Sequence, residues 1–374
     1  MTARRLPVVP RPYRGELLSS WLARVACRYG LTHQALAEWM TDGGRSFSPI
    51  QSVDDRLPAP EQVRQWAWSC GVDPERLLRL SLSRRHPQRP NSWYMCRGPE
   101  WAPSAMIGSP AVCLACLAAD HTADRDSWLR ADWVLAEHCI CPKHGHLLHD
   151  RCLGCGHRLS VAFRLREGHA RAVCSRCEAL LIDRGGEDDA PRDVALIEAA
   201  LSIQQQVAQI VDGEGPAHEQ LGQALATLWA PLDHPAAGRP VLALWLNQAG
   251  WRCPYEVRHA VGAAMPLGQL PVGWRFVTLL AVNDVFGVNP DGVATSSETA
   301  IRLARRAASR RMRAMPPPPH GMATGPLPRS SAEYERLANQ ILADPRWTAA
   351  QSLSQRKRYS ARARLIDAAL SRKG

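Results

Sequence analysis

Eight soft metal donors lie between residues 113 and 177, in four pairs that each enclose two residues. They are Cys113 and Cys116 in CLAC, Cys141 and His144 in CPKH, Cys152 and Cys155 in CLGC, and Cys174 and Cys177 in CSRC. A pair at this spacing can bite one tetrahedral ion, and four pairs fill two structural sites with no donor left over. The expected cofactor is therefore zinc, as two structural ions. Grouping by neighbours gives one site from Cys113, Cys116, Cys141 and His144, and a second from Cys152, Cys155, Cys174 and Cys177. That grouping closes shorter loops and loses less chain entropy than joining first pair to third and second to fourth. Spacing alone leaves both arrangements open.

The local chemistry agrees with metal. Gly145 and Gly156 each follow a pair directly, where a tight turn calls for positive φ. Four thiolates on a dication leave about two negative charges, which Arg151, Arg158 and Arg176 are placed to offset. Leu147, Leu148 and Leu159 are the expected apolar packing of the module. Cys139 competes with Cys141 for a place in the coordination shell, but only Cys141 keeps the two-residue gap to His144, so Cys139 reads as a small buried apolar residue. His146, His149 and His157 read as polar groups around the sites.

Catalytic readings are weaker. Full coordination by protein donors leaves no open position for water. The sequence has no HExxH segment, no HxE paired with PCxxC, and no GxxxxGK[ST] phosphate loop. The chain is not expected to be an enzyme. With seven of the twelve cysteines in paired spacings, zinc is favoured over disulfides, which suits a reducing compartment. The opening MTARRLPVVPRPYRGELLSS has no apolar core of signal-peptide length, and no run of about 20 apolar residues reads as a membrane span. A cytoplasmic location without membrane contact is the expectation.

The rest of the chain reads as mainly α. Residues 1–110 form an N-terminal helical region resembling a helix-turn-helix. Residues 111–182 form the double zinc-finger module with small β elements. Residues 193–374 form a C-terminal helical domain with a basic tail. Residues 1–15 should be extended. A helix should begin near Glu16 and end at Gly30, burying Leu18, Trp21, Leu22 and Val25. A second should be capped by Thr32, with Leu36 and Trp39 facing inward. Further helices are expected over Pro60–Cys70 and after Asp73, with Pro74 in the first turn and Trp66 and Leu77 in the core. Trp93, Tyr94 and Trp101 lie in an arginine-rich loop that either stacks nucleic acid or plugs onto the zinc module, the plug being preferred. Trp128 and Trp133 should brace that module. Residues 183–192 read as a linker. Helices follow over 193–211 and 217–229, then short paired ones broken near Gly250, then PVGWRFVTLLAVNDVFG, with no sheet expected in this half.

Net charge is +11, almost all from arginine, which favours encounter with a polyanion, usually nucleic acid. The densest run is IRLARRAASRRMR, with six arginines from Ile301 to Arg313. PPPP follows from Pro316, then helices over Ala332–Leu342 and Leu353–Leu370 with RKR at Arg356–Arg358.

Two stretches together resemble the TniQ family of transposition proteins. The first is the pattern E-x-x-x-S-W-x-x-R after a proline, here Pro12, Glu16, Ser20, Trp21 and Arg24. The second runs from the first knuckle through Asp120, Trp128 and Trp133 to Cys141-Pro142, His144-Gly145, the pair Leu147 and Leu148, and Cys152, Cys155 and Gly156. The likeness covers about residues 8–160. CLAC and CLGC carry leucine where the family has proline, and DHTADRD replaces its usual stretch after the first knuckle; neither change touches a donor. The resemblance implies a non-catalytic target-selection factor that works beside a DDE transposase and an AAA+ ATPase on target DNA. Some such proteins serve a site-specific or RNA-guided recognition complex, and some are homodimers. It also implies helix-turn-helix elements flanking zinc fingers. The competing reading is a stand-alone transcription regulator using the same helices and a zinc brace.

Overall fold

The computed structural model describes residues 5–40, 53–95, 111–182, 194–213, 215–232, 239–246, 254–289 and 291–293, and near the C-terminus 336, 339–349 and 361. The chain divides into two compact units, Met1–Arg311 and Met312–Gly374. In the first, α1 (Leu18–Cys27) and α2 (His33–Met40) are followed by α3 (Pro60–Cys70), α4 (Pro74–Leu78) and α5 (Leu82–Arg85). The apolar faces of α1 to α4 close on one core containing Leu18, Trp21, Leu22, Val25, Leu36, Val63, Trp66 and Leu77.

The helix starts follow local chemistry. Thr32 Oγ1 accepts from Ala35 N (3.2 Å), and Asp73 Oδ1 accepts from Glu75 N (3.2 Å) with Pro74 at the first helical position. α1 is capped from a distance instead. Asp55 Oδ1 accepts from Ser19 N (2.7 Å), and Asp55 Oδ2 accepts from Ser19 Oγ (2.5 Å). Trp39 does not face inward as expected; it is exposed, because Leu36, Ala37 and Met40 already fill the buried side of an eight-residue helix.

α6 (Leu114–Thr122) opens the cysteine-rich stretch, which ends in a hairpin of β1 (Val161–Arg166) and β2 (His169–Cys174) in register Val161↔Cys174 to Arg166↔His169. Its two-residue turn, Glu167–Gly168, has positive φ at both positions (53° and 79°), the geometry that matches strand twist.

Beyond it lie α7 (Val194–Asp212), α8 (Ala217–Trp229), α9 (Leu242–Trp245) and α10 (Val272–Phe286). This half is not helical throughout. A short hairpin, β3 (Val288–Asn289) with β4 (Gly292–Val293), packs on α7 and α8. Two residues per strand are too few to show a period of two in the sequence.

A second, larger core runs without a break from Leu82 and Trp93 through Leu117, Trp133, Leu148 and Phe163 to Val207, Leu225, Trp229 and Val282. α7 is long and apolar enough to cross a bilayer by length and composition. Its Ile203, Val207, Ile210 and Val211 are buried in this core, while Val194 and Leu196 at its start are exposed.

In the second unit, α11 (Pro345–Ala349) is a short exposed helix. The linker at 183–192, Trp101, Gly250, the Ile301–Arg313 run, the PPPP segment and Arg356–Arg358 fall outside the described residues, as does nearly all of the helix expected over Leu353–Leu370.

Candidate metal centres

The four knuckles are built by two local devices. Cys113 is the N-cap of α6, its Sγ accepting from Cys116 N (3.4 Å) at the helix N-terminus. The other three are tight turns of one pattern. The residue after the second donor lies at positive φ and returns its N–H to the carbonyl of the first cysteine. Gly145 (φ 63°) donates to Cys141 O (2.8 Å), Gly156 (φ 68°) to Cys152 O (2.8 Å), and Glu178 (φ 58°) to Cys174 O (2.9 Å). A side chain at positive φ costs free energy, so glycine suits two of these positions.

Backbone bridges then bring the knuckles together in neighbouring pairs. Val112 and His149 exchange hydrogen bonds (2.9 and 2.7 Å), which carries α6 to the Cys141 turn. The β1–β2 hairpin returns Cys174 to the Cys152 turn. Two tetrads result: Cys113, Cys116, Cys141 and His144, and Cys152, Cys155, Cys174 and Cys177, each with its donor atoms within 4.8 Å of one another. The interleaved arrangement does not occur. The first tetrad is the more buried; in the second, Cys177 is exposed and Cys155 half-buried.

The donor spacing suits one tetrahedral ion. Zinc–sulfur bonds of about 2.3 Å and zinc–nitrogen bonds of about 2.0–2.1 Å imply S···S edges near 3.8 Å and S···N edges near 3.6 Å. The first tetrad shows Cys116 Sγ···Cys141 Sγ at 3.7 Å, and His144 Nδ1 at 3.4, 3.3 and 3.6 Å from the sulfurs of Cys113, Cys116 and Cys141. The second shows Cys152 Sγ···Cys177 Sγ at 3.6 Å and Cys155 Sγ···Cys174 Sγ at 3.9 Å. A disulfide would need about 2.05 Å. Thiols packed so closely cannot all ionise without a cation between them. Hydrogen bonds from Cys113 and Cys116 pull the Cys141 thiol down, while hydrogen bonds to Cys113 first and then Cys141 push Cys116 up. A dication bound by all four donors removes that conflict.

The groups around the tetrads are placed as follows. Leu148 and Leu159 are buried, but Leu147 is exposed, because the Ile140–Leu147 bridge runs along the rim of the turn. Cys139 belongs to neither tetrad. It is buried, burial pushes its thiol up to about 12, and its N–H donates to Gln204 Oε1 (2.8 Å). His157 Nδ1 lies 2.8 Å from Cys155 O, and Arg151 Nη1 donates to Gly156 O (3.2 Å), which brings its charge to the second tetrad.

Trp93 and Tyr94 are buried against residues 134–136, with Met95 N donating to Val134 O (2.6 Å) and Ala136 N to Trp93 O (2.9 Å). They plug the loop onto the metal-binding stretch and are not free to stack bases. Arg130 lies over Trp128 (4.0 Å) and Trp133 (4.9 Å) while its Nη1 meets Asp120 Oδ2 at 2.7 Å.

The Glu16–Arg24 motif is a buried ionic network. Glu16 accepts from Ser20 Oγ (2.9 Å), Arg24 Nε (2.8 Å), Arg24 Nη2 (2.7 Å) and Tyr13 N (2.9 Å). Arg24 Nη1 also pairs with Asp126 (3.0 Å), which takes a second pair from Arg28 (2.7 Å) and the N–H of Ala170 (2.8 Å). Burial opposes the Arg24 charge, but Glu16 and Asp126 outweigh it and its pKa is raised. Burial likewise opposes the Asp126 carboxylate, yet Ala170 N, Arg24 and Arg28 hold its pKa below the ordinary value. The motif therefore fastens α1 to the segment between the first two knuckles and to β2.

Three further residues, with no local sequence signal, dock the second half of the chain onto the tetrads. Gln204 of α7 accepts from Cys139 N (2.8 Å) and Ile140 N (3.0 Å). Asp150, between the knuckles, caps α10 through Val272 N (2.9 Å). Arg275 of α10 donates to Leu135 O (3.2 Å) and Ala136 O (2.9 Å).

This architecture defines a mainly helical protein organised around two candidate metal-binding clusters in the middle of the chain. Residues 7–148 match the TniQ family model, and that region of the chain belongs to the TniQ family. The matched region holds the Glu16–Arg24 network and the whole first tetrad; the second tetrad lies beyond it. No curated protein matches the chain. TniQ-family proteins are non-catalytic accessory factors associated with transposition, and no catalytic motif is evident here.

Proposed function

We propose that this chain is a DNA-transposition accessory protein that links recognition of a target site to an AAA+ ATPase and, through it, to a DDE transposase. The observation that supports this best is the TniQ region itself. Its motif residues are the buried joint between the N-terminal helices and the first tetrad, so the matched segment is one physical unit. In this reading the eight donors hold two zinc ions whose role is structural: Cys113, Cys116, Cys141 and His144 hold one, and Cys152, Cys155, Cys174 and Cys177 the other. Zinc would supply folding energy to a stretch with little regular structure of its own. A full tetrad of protein donors leaves zinc no position for water, which agrees with a role other than hydrolysis.

The mainly helical second half is the proposed docking surface for protein partners, including a second copy of the chain. The α1–α2 pair is the proposed helix-turn-helix, with α2 as the presented helix because Ala35 and Trp39 are exposed on it.

The test is a DNA-supported pull-down with an AAA+ ATPase encoded alongside the protein, with and without ATP, at two salt concentrations. ATP-dependent capture is the expected result. Absence of capture, together with tight sequence-specific DNA binding by the chain alone, would replace this reading with that of a stand-alone transcription regulator.

A further inference from the structure

A cleft of about 480 Å³ opens between the turn at Pro12–Gly15 and α4. Four of the residues lining it are arginines, Arg14, Arg76, Arg79 and Arg85, and none is acidic. Arg76 and Arg79 stand one turn apart on the same face of α4 and its C-cap. Arg85 comes from the end of α5 and Arg14 from the N-terminal turn.

Their charges are poorly compensated. The nearest ion pair is Arg79 with Asp73 at 3.9 Å, and both side chains are largely exposed there. Arg76 Nη2 donates to a carbonyl, Pro12 O (3.3 Å), and not to a carboxylate. Arg85 Nε is buried with no hydrogen-bond partner among the described residues. Burial lowers the Arg85 pKa, opposed only by the charge of Asp132. Converging cations with an unsatisfied buried N–H raise the free energy of the free protein. An anion offering several oxygens to planar guanidinium forks relieves it.

The walls are rigid. Tyr13 is held by Glu16 (N to Oε2, 2.9 Å), by stacking on Trp128 (5.4 Å) and by Arg24 over its ring (4.4 Å). Gly15 O accepts from Ala131 N (2.8 Å), and α4 is anchored by buried Leu77 and Leu80. Such a frame holds the backbone that carries the arginines, so binding need order only their side chains. The volume lies within the usual range of ligand pockets, about 300–1,000 Å³, with room for more than a lone phosphate group. α2, the proposed presented helix, carries neither lysine nor arginine, so cationic contacts to a polyanion must come from elsewhere on the surface.

We infer that this cleft is a phosphate-binding pocket that takes either a backbone phosphate of DNA or the phosphates of a free nucleotide. The inference rests on the arginine geometry and not on the ATPase-linking role. It is tested on the full-length protein with Arg76→Gln, Arg79→Gln and the double variant, all at exposed positions. Arg64→Gln on α3, exposed and paired with Glu61, is the control for general charge.

Two probes are used: a short fluorescein-labelled duplex followed by anisotropy across a salt series, and inorganic pyrophosphate followed by calorimetry and as a competitor. If DNA is the source, the double variant binds the duplex roughly ten-fold more weakly than the Arg64→Gln control, and the slope of log affinity against log salt falls by about one per lost contact. Pyrophosphate then competes little. If a free nucleotide is the source, pyrophosphate binds directly and the pocket variants lose that binding. Pocket variants that match Arg64→Gln with both probes would overturn the inference. Capture by the ATPase is scored separately, so either proposal can fail while the other stands.

Discussion

Removing the Glu16 carboxylate should destabilise the first unit by about 3–5 kcal/mol, the range for breaking a buried ion pair by deleting one partner. The structure sets the magnitude. Glu16 is 0% exposed and Arg24 1%, so water cannot replace the lost partner. In Glu16→Ala, Arg24 and Arg28 share the single carboxylate of Asp126, leaving one positive charge in excess beside the fully buried Arg24. The N–H of Tyr13 and the hydroxyl of Ser20 lose their acceptor as well. Their separate costs, about 1–3 kcal/mol each, overlap with the ionic term and do not simply add.

An internal control separates burial from distance. Arg64 and Glu61 on α3 approach to 2.5 Å but are more than 60% exposed, so Glu61→Ala should cost no more than about 1 kcal/mol. The assay is equilibrium denaturation of the full-length protein in matched metal-containing buffer, comparing midpoints at constant slope. A Glu16→Ala/Arg24→Met double-mutant cycle then measures the coupling, expected above about 2 kcal/mol. A Glu16→Ala cost as small as that of Glu61→Ala, or a cycle without coupling, would show that the buried pair does not hold the first unit together.

Cys174→Ser, at a position 0% exposed, should lower bound zinc from two ions to one per chain and open residues 111–182 to proteolysis; a folded variant holding both ions would refute the second site. Burial raises the Asp55 carboxyl to about 6 against its Ser19 donors, so the folded protein holds an extra proton between about pH 4 and 6, and this group's contribution to stability falls as pH rises through that window. Asp55→Asn should remove that slope, on the order of 3 kcal/mol across the window; a wild-type-minus-variant difference in melting that is flat with pH would contradict it. Gln204→Leu should cost about 2–3 kcal/mol by stranding the N–H groups of Cys139 and Ile140, and hydrogen exchange at those two amides should quicken while exchange in α3 is unchanged.

Much of the helical framework was legible because caps, prolines and apolar periodicity act over a few residues. Asp73 and Pro74 start α4, Thr32 caps α2, and Leu18, Trp21, Leu22 and Val25 form one buried stripe. Trp39 and Leu147 came out exposed because an apolar side chain reports its preference and not the space left by its neighbours. The β3–β4 hairpin was illegible because two residues per strand carry no pattern.

The chain's local order set the four donor pairs and the turns that shape three of them, since a donor, two spacers, a donor and a positive-φ residue are complete within five residues. Only the tertiary structure decided which pairs share a tetrad. Only it brought Arg24 to Asp126 across 102 positions and Asp150 to the start of α10 across 122, and only it gathered four arginines around one cleft. Spacing along a chain records what adjacent residues do to one another. Groups a hundred residues apart meet only when apolar burial folds the chain between them, and their partners are set by that packing.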